Sequence, residues 1–306
     1  MRVTTAGMGS SLTRDLQAAL AAIAKQHGII ASGRKLNAPS DDPTATARAL
    51  SVRSRQTANA QFVQNITSAR GNLATSETSV RSVIDYLQQA RELAIQGVND
   101  TNDASARLAL GDQVNQILEA VVSFANGRGP NGGMLFGGQE ISVAPYTVTR
   151  DVTGNITAVT VNPRGIDGTL PVEVSEGLTV AQGVSGTIAF GAMSDTTNAF
   201  DTLIRLRDAL NANNGTNTGV EIDNLTTAHD RASTASILLG TRQALLDTLE
   251  QRHQDDALGL ATTLSDLEDA DMAKAITDLN QIQTLYEAGL ASGARLLQQS
   301  LVDFLR

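Results

Sequence analysis

The chain has 306 residues, no cysteine, no tryptophan and a formal net charge of −9, from 32 acidic against 23 basic residues. An acidic balance with no basic run speaks against a nucleic-acid binder, which needs clustered Lys and Arg to displace counterions from phosphates. Without cysteine there are no disulfides, thiolate metal sites or thiol nucleophiles, and no stretch approaches the roughly 20 apolar residues that a membrane span requires.

Aromatic residues make up only 3% of the chain, so Ala, Leu, Ile and Val carry most of the apolar content. Small aliphatic side chains suit seams between long helices better than a thick core, which recruits large rings. The first ten residues hold no apolar stretch of the kind that makes a secretory signal. Export, if it occurs, is expected without a cleaved leader.

The first predicted helix runs from about Ser11 to Ala31. Leu12, Leu16, Leu20, Ile23 and Ile30 recur at helical spacing, with His27 the one break. Gly33 can take the left-handed conformation that ends helices, and Asn37, Pro39 and Pro43 hold the following chain extended. Gly33, Pro39 and Pro43 are therefore read as a hinge. Asp42 and Pro43 then open a second helix as N-cap and first helical residue.

That second helix carries Phe62, Ile66, Ala69, Leu73, Ser76, Val80, Val83, Leu87, Ala90 and Ala94 at alternating spacings of four and three. This is a heptad seam over more than four repeats. A helix from Thr44 to Gln96 would be roughly 80 Å long and needs antiparallel partners of similar length. A third helix over about Ser105–Ala125 should fold back on it through the link 99–103.

The run 126–133, rich in Asn and Gly, cannot be helical and reads as a hinge. Short β-branched segments follow at 146–150, 156–161, 170–174 and 178–180, with a hairpin turn at 153–155. Helix returns at 197–210. After a polar loop over 211–218, a second long helix spans about 222–260. It repeats Ala228, Ala232, Ala235, Leu239, Leu246, Leu249, His253 and Leu260, interrupted by Arg242 and Asp256. The last helix, about 270–304, carries Met272, Ile276, Leu279, Tyr286, Leu290, Leu297, Leu301 and Phe304.

The fold class expected is mainly α: a long antiparallel, coiled-coil-like helical rod formed by the N- and C-terminal regions, with a small β-rich insert. Three regions are anticipated. A terminal region comprises 1–38 with 268–306, a long-helix region 39–134 with 196–267, and the insert 135–195. The simplest closure puts both chain ends at one tip and the insert near the other.

No catalytic constellation is found, and no metal or cofactor is called for. His27, His229 and His253 have no partners at ligand spacing. The acidic group Asp266, Glu268, Asp269 and Asp271 lacks the alternating oxygen pattern of a calcium loop and reads as a solvated or N-terminal helix face. Gly289 and Gly293, one turn apart with Ala288, Ala291 and Ala294 beside them, suit close packing against another helix. Two glycines also weaken their own helix, by about 1 kcal/mol each relative to alanine.

Two motifs carry a resemblance. Ser32-Gly33-Arg34-Lys35-Leu36-Asn37-Ala38-Pro39-Ser40-Asp41-Asp42-Pro43 resembles the loop after the first helix in the flagellin family, which includes flagellins and their hook–filament junction relatives. Leu264-Ser265-Asp266-Leu267-Glu268-Asp269-Ala270-Asp271-Met272 is similar to the acidic motif before the last helix of that family. The segments 126–138, 172–180 and 199–204 look like those of the junction branch, while 301–306 ends much as a flagellin does.

The resemblance implies a structural subunit of the bacterial flagellum, exported unfolded through the flagellar secretion channel and escorted beforehand by an export chaperone. In the junction branch such chains form a collar between the first hook-associated protein and the flagellin filament, beside copies of themselves in a ring. Leu12, Leu16, Leu20, Ile23, Ile30, Ile276, Leu279, Tyr286, Leu290, Leu297, Leu301 and Phe304 would form the assembly interface. Two other readings stay open: a self-polymerising flagellin, and a flagellin-like rod whose insert carries an enzyme.

Overall fold

The structure, a computed structural model, describes the backbone of residues 5–99 and 101–304 and the side chains of residues 7, 9–99 and 101–295. In chain order the elements are α1 (Thr5–Ser32), α2 (Pro43–Val98), α3 (Ala104–Ala125), β1 (Tyr146–Arg150), β2 (Ile156–Val161), β3 (Pro171–Ser175), β4 (Leu178–Ala181), α4 (Gly186–Phe190), α5 (Ala199–Asn211), α6 (Gly215–Glu268) and α7 (Met272–Phe304). The chain is mainly helical with a small antiparallel insert. It divides into two compact units, Met1–Ala58 with Asp256–Arg306 and Asn59–Asp255, so the division falls within α2 and within α6.

In the unit Asn59–Asp255, the α2 heptad becomes a core. From Ile66 to Ala94 every seam residue, Ser76 included, is buried, and only Phe62 is half-buried. The α6 stripe Ala228, Ala232, Ala235, Leu239, Leu246, Leu249 and His253 is buried likewise. The helices run antiparallel: Asn59 Nδ2 donates to His253 O (2.8 Å), Arg70 pairs with Asp247 and Glu250, and Gln243 Nε2 donates to Glu77 Oε2 (3.4 Å). Small seam residues let the backbones come close, which is what the alanine-rich pattern requires.

Helix α3 folds back along α2, as the short link demands. Arg107 Nε donates to Gly97 O (2.8 Å), and the Tyr86 and Phe124 rings lie 6.0 Å apart. Helix α5 then packs on α3 at Gly111, where an added Cβ would sit 2.3 Å from Asn211 Oδ1.

The insert is two separate two-stranded hairpins, β1–β2 and β3–β4, with no pairing between them. Asp151 Oδ1 organises the first turn by accepting from the backbone N–H groups of Thr153 and Asn155, with Gly154 at φ +92°. The second turns at Glu176–Gly177, with Gly177 at φ +71°. An isolated two-stranded hairpin is marginal in water, so each is anchored on helices. Ile156 O accepts from Arg207 Nη1 of α5 (2.6 Å). Glu173 O accepts from Asn65 Nδ2 of α2 (2.8 Å), and Val174 O faces His253 Nε2 of α6 (2.8 Å).

Four of the nine aromatic residues gather in one cluster. Phe136, Tyr146, Phe190 and Phe200 are all buried, with Tyr146–Phe200 at 4.7 Å, Phe136–Phe190 at 5.0 Å and Phe190–Phe200 at 5.6 Å. Gly186 makes room for the cluster, since a Cβ there would meet Tyr146 Oη at 2.2 Å. Burial pushes the Tyr146 phenol far above its ordinary range, so it stays neutral. Phe200→Ala is expected to cost about 3–5 kcal/mol in denaturant unfolding. A loss below about 1 kcal/mol, the level of an ordinary surface substitution, would deny the cluster its organising role.

Three local expectations need correction. The run 126–133 is not loose: Gly129 N donates to Gly133 O (2.8 Å), Leu135 N to Gly127 O (3.0 Å), and Asn131 Nδ2 reaches Ser68 Oγ on α2 (2.9 Å). The polar loop before α6 shrinks to 212–214. Asn213 takes a left-handed φ of +53°, and Asn214 Oδ1 caps the helix by accepting from Asn217 N (3.0 Å). The short helix α4, capped by Ser185, had no periodic signal because five residues are too few to show one.

Candidate functional site

No group of three or more His, Asp or Glu among the described residues could hold a metal ion. No helix among them is long and apolar enough to cross a membrane. The feature that stands apart lies in the unit Met1–Ala58 with Asp256–Arg306: the pair α1 and α7, and a clasp beside it.

Helices α1 and α7 pack against each other antiparallel. Gly293 admits Leu12, whose Cδ2 would be 2.5 Å from an added Cβ, and Gly289 admits Leu16 at 3.2 Å. The stripe read from the sequence divides here. Leu12, Leu16, Ile23, Ile30 and Tyr286 are half-buried and Leu279 is buried. Leu20, Ile276 and Leu290 are 49%, 47% and 47% exposed, and the unanticipated Leu285 is 62% exposed. Side chains of Leu297, Leu301 and Phe304 lie outside the described residues.

The core of this unit is thin. Ala49, Leu260, Ala275 and Leu279 are its buried apolar residues among those described. At about 25 cal/mol per Å² of apolar area, four such residues give little to hold two long helices.

The clasp joins the two motifs that carried the resemblance. Helix α1 ends at Gly33 (φ +69°), whose amide donates to Ile29 O (2.8 Å). The chain then forms a one-residue antiparallel bridge, Arg34 with Asp269, across the α6–α7 joint. Lys35 N donates to Glu268 O (2.7 Å), Ala270 N to Gly33 O (2.9 Å), and Lys35 Nζ to Asp266 O (2.5 Å). Glu268, 5% exposed, receives Arg53 Nη2 at 2.7 Å and Arg34 Nη1 at 3.7 Å. It is thus a paired, buried carboxylate and not part of a solvated acidic face. Its neighbours act locally: Asp269 accepts from Ser265 Oγ (2.5 Å), and Asp271 caps α7 by accepting from Lys274 N (3.1 Å).

The loop between α1 and α2 is internally braced. Asp41 Oδ2 accepts from Asn37 N (3.2 Å) and Ala38 N (3.0 Å), and Asp41 Oδ1 meets Lys25 Nζ at 2.8 Å. The Lys25 hydrogen bond, with the two backbone donors, holds the Asp41 carboxyl below the ordinary carboxylate range. Its contribution is therefore present above that range and lost as pH falls below it. Asp42 Oδ1 caps α2 through Thr44 N and Ala45 N (2.9 Å each), with Pro43 the first helical residue and Pro39 in the intervening turn.

Sequence reasoning found both motifs but not that they touch. The bridge joins residues 235 positions apart, and no local pattern encodes a partner at that distance. Nor did spacing mark Glu268, which the α6 heptad does not include and whose burial demands a cation.

Comparison with known proteins finds family matches in both the N-terminal and the C-terminal part of the chain. The bacterial flagellin N-terminal helical region matches residues 3–140, and the bacterial flagellin C-terminal helical region matches residues 222–305. The flagellar hook-associated protein 3 of Salmonella typhimurium is 24% identical, over 90% of this chain and 91% of its own. Flagellin FlaB2 of Treponema pallidum is 26% identical over 90% of each chain. In fold, the crystal structure of the flagellar junction protein FlgL from Legionella pneumophila superposes with a TM-score of 0.58 at 15% identity, covering 72% of this chain and all of that one.

Proposed function

Since the chain belongs to the flagellin family, we propose that it is the structural subunit joining the hook-associated region to the flagellar filament, assembling through α1 and α7. The observation that carries the reading is the match to a hook-associated protein 3 over 90% of this chain and 91% of that one, a span long enough to take in the insert. The chain is a component of the bacterial flagellum. Its partners on this reading are the first hook-associated protein on one side, flagellin on the other, and copies of itself around the ring. Before assembly it would travel unfolded through the flagellar export apparatus, held by a chaperone.

The three-way division of the chain keeps its meaning as a proposal about roles. Residues 1–38 with 268–306 would make the layer around the central channel, 39–134 with 196–267 the layer outside it, and 135–195 the outward face. Gly33, Pro39 and Pro43 would set the bend between the first two layers. The half-exposed Leu20, Ile276 and Leu290 supply the physical support: a helix pair with a thin core and an apolar flank gains stability when neighbours cover that flank.

Deleting the gene should leave hooks intact and release flagellin into the medium. A deletion strain that lacks hooks, or builds normal filaments, would contradict the role. The match to a full-length flagellin supports a second reading, a filament subunit. Purified protein that grows long filaments by itself would favour that reading.

The glycine pair gives a graded test. Gly293→Ala gains about 1 kcal/mol of helix propensity, offsetting the shift asked of the flexible end of Leu12. Gly293→Val adds two branches where the first carbon already crowds Leu12. Incorporation into flagella is therefore expected to survive the first change and fall about tenfold or more with the second, on an overpacking cost of about 1–3 kcal/mol. Equal incorporation of both variants would deny a close α1–α7 approach.

A further inference from the structure

A cavity of about 290 Å³ lies in the unit Asn59–Asp255, between α2 and the loops that flank the hairpin β3–β4. Its size falls at the lower end of small-ligand pockets, which run from about 300 to 1,000 Å³. No Lys, Arg, His, Asp or Glu lines it.

Two kinds of surface share the lining. One is apolar: Met134, Leu135 and Val184 are buried there, and Ile141 and Leu170 are each 39% exposed beside them. The other is made of amides and hydroxyls. Asn72 Nδ2 donates to Gln182 Oε1 (3.0 Å), and Asn131 Nδ2 donates to Ser68 Oγ (2.9 Å). These two bonds orient the amides and leave part of each unused. Gln182 Nε2, Asn131 Oδ1 and Thr169 Oγ1 make no hydrogen bond among the described residues.

The walls are held by the chain itself. Gly129 N donates to Gly133 O (2.8 Å), Met134 N to Ile141 O (2.8 Å) and Gln182 N to Leu170 O (3.1 Å). A site formed in advance spends little on ordering when a ligand arrives.

This lining discriminates by chemistry. A charged ligand would give up its hydration with no counter-charge in reach. A wholly apolar ligand would strip water from Gln182 Nε2, Asn131 Oδ1 and Thr169 Oγ1 and replace none of it. Both surfaces are satisfied by a compact neutral molecule with a C–H face and a rim of hydroxyls, each able to donate and accept. A pyranose sugar has that form. We propose that the cavity binds a neutral monosaccharide unit, its C–H face on Met134 and Leu135 and its hydroxyls on Gln182, Asn131 and Thr169. No aromatic ring lines the cavity to stack on the sugar, so the expected affinity is millimolar. The site is independent of the junction role and stands or falls without it.

The test is saturation-transfer difference NMR on the full-length chain with glucose, galactose, mannose and N-acetylglucosamine. Glucuronate and glucosamine serve as charged controls. At least one neutral sugar should give a saturable signal at millimolar concentration, and both charged sugars should bind about tenfold or more weakly. Gln182→Glu keeps the acceptor for Asn72 but replaces the free donor with a carboxylate, and should weaken binding about tenfold or more. Thr169→Val keeps the side chain's shape, breaks no hydrogen bond within the chain, and should weaken binding about threefold or more. Thermal melts close to wild type for both variants would assign these losses to the site.

No signal from any of the four neutral sugars would overturn the proposal. So would charged sugars that bind as tightly as neutral ones, or variants that bind like wild type. A capped neutral dipeptide that binds in preference to every sugar would make the cavity a peptide site and overturn it too.

Discussion

Leu290→Asp and Leu20→Asp should abolish incorporation into flagella while leaving the isolated chain's melting temperature nearly unchanged. Both side chains are about half exposed, at 47% and 49%. A surface substitution of this kind typically moves stability by no more than about 0.5 kcal/mol. In an assembled contact the same carboxylate would be buried without a partner, at a cost of several kcal/mol. Each 1.4 kcal/mol is about a factor of ten in affinity, so even a modest desolvation cost per subunit stops a ring from closing. Leu279→Asp is the control: Leu279 is buried in the pair itself, and its loss should separate α1 from α7 within one chain. Incorporation measured by complementation of a deletion strain, beside thermal melts of purified protein, distinguishes the three. Normal incorporation of the Leu20 and Leu290 variants would place the assembly contact elsewhere.

Amide hydrogen exchange should divide the free monomer into two classes. Helices α1 and α7 are expected to exchange nearly as an unstructured chain does, and α2 over 66–94 and α6 over 228–249 to be strongly protected. The reason is the distribution of buried apolar residues. The unit Asn59–Asp255 buries two heptad seams and an aromatic cluster. The terminal unit buries four apolar residues among those described. Helices of this length in water depend on tertiary packing, and Gly289 and Gly293 lower the intrinsic stability of α7 further. Assembly would then fold these helices as it buries them, and slow exchange should appear in α1 and α7 only in polymerised material. Strong protection of both in the monomer would contradict coupled folding.

Much of the fold could be read from periodicity because the elements are long. The α2 heptad repeats often enough that every seam position from Ile66 to Ala94 is buried as its spacing predicts, with Ser79 the one buried residue off the seam. The four strands were legible from β-branched runs bounded by turn residues, and β1 and β2 fall where those runs lie. What periodicity cannot supply is pairing across distance. The Arg34–Asp269 bridge, the anchoring of β3 by His253 and the gathering of four rings at the insert all join residues that no local window contains. Nor could spacing separate Leu16, half-buried against Gly289, from Leu20 on the exposed flank. Both sit on one apolar stripe, and only the position of α7 divides them.

The absence of cysteine from the chain allows a direct test of where the protein works. Val152 in the first hairpin of the insert is fully exposed, so Val152→Cys offers a single thiol for a gold or fluorescent label on intact flagella. A junction subunit predicts one narrow band where the hook meets the filament, and none beyond it. Label along the length of the filament would contradict that account and identify the chain as a filament subunit.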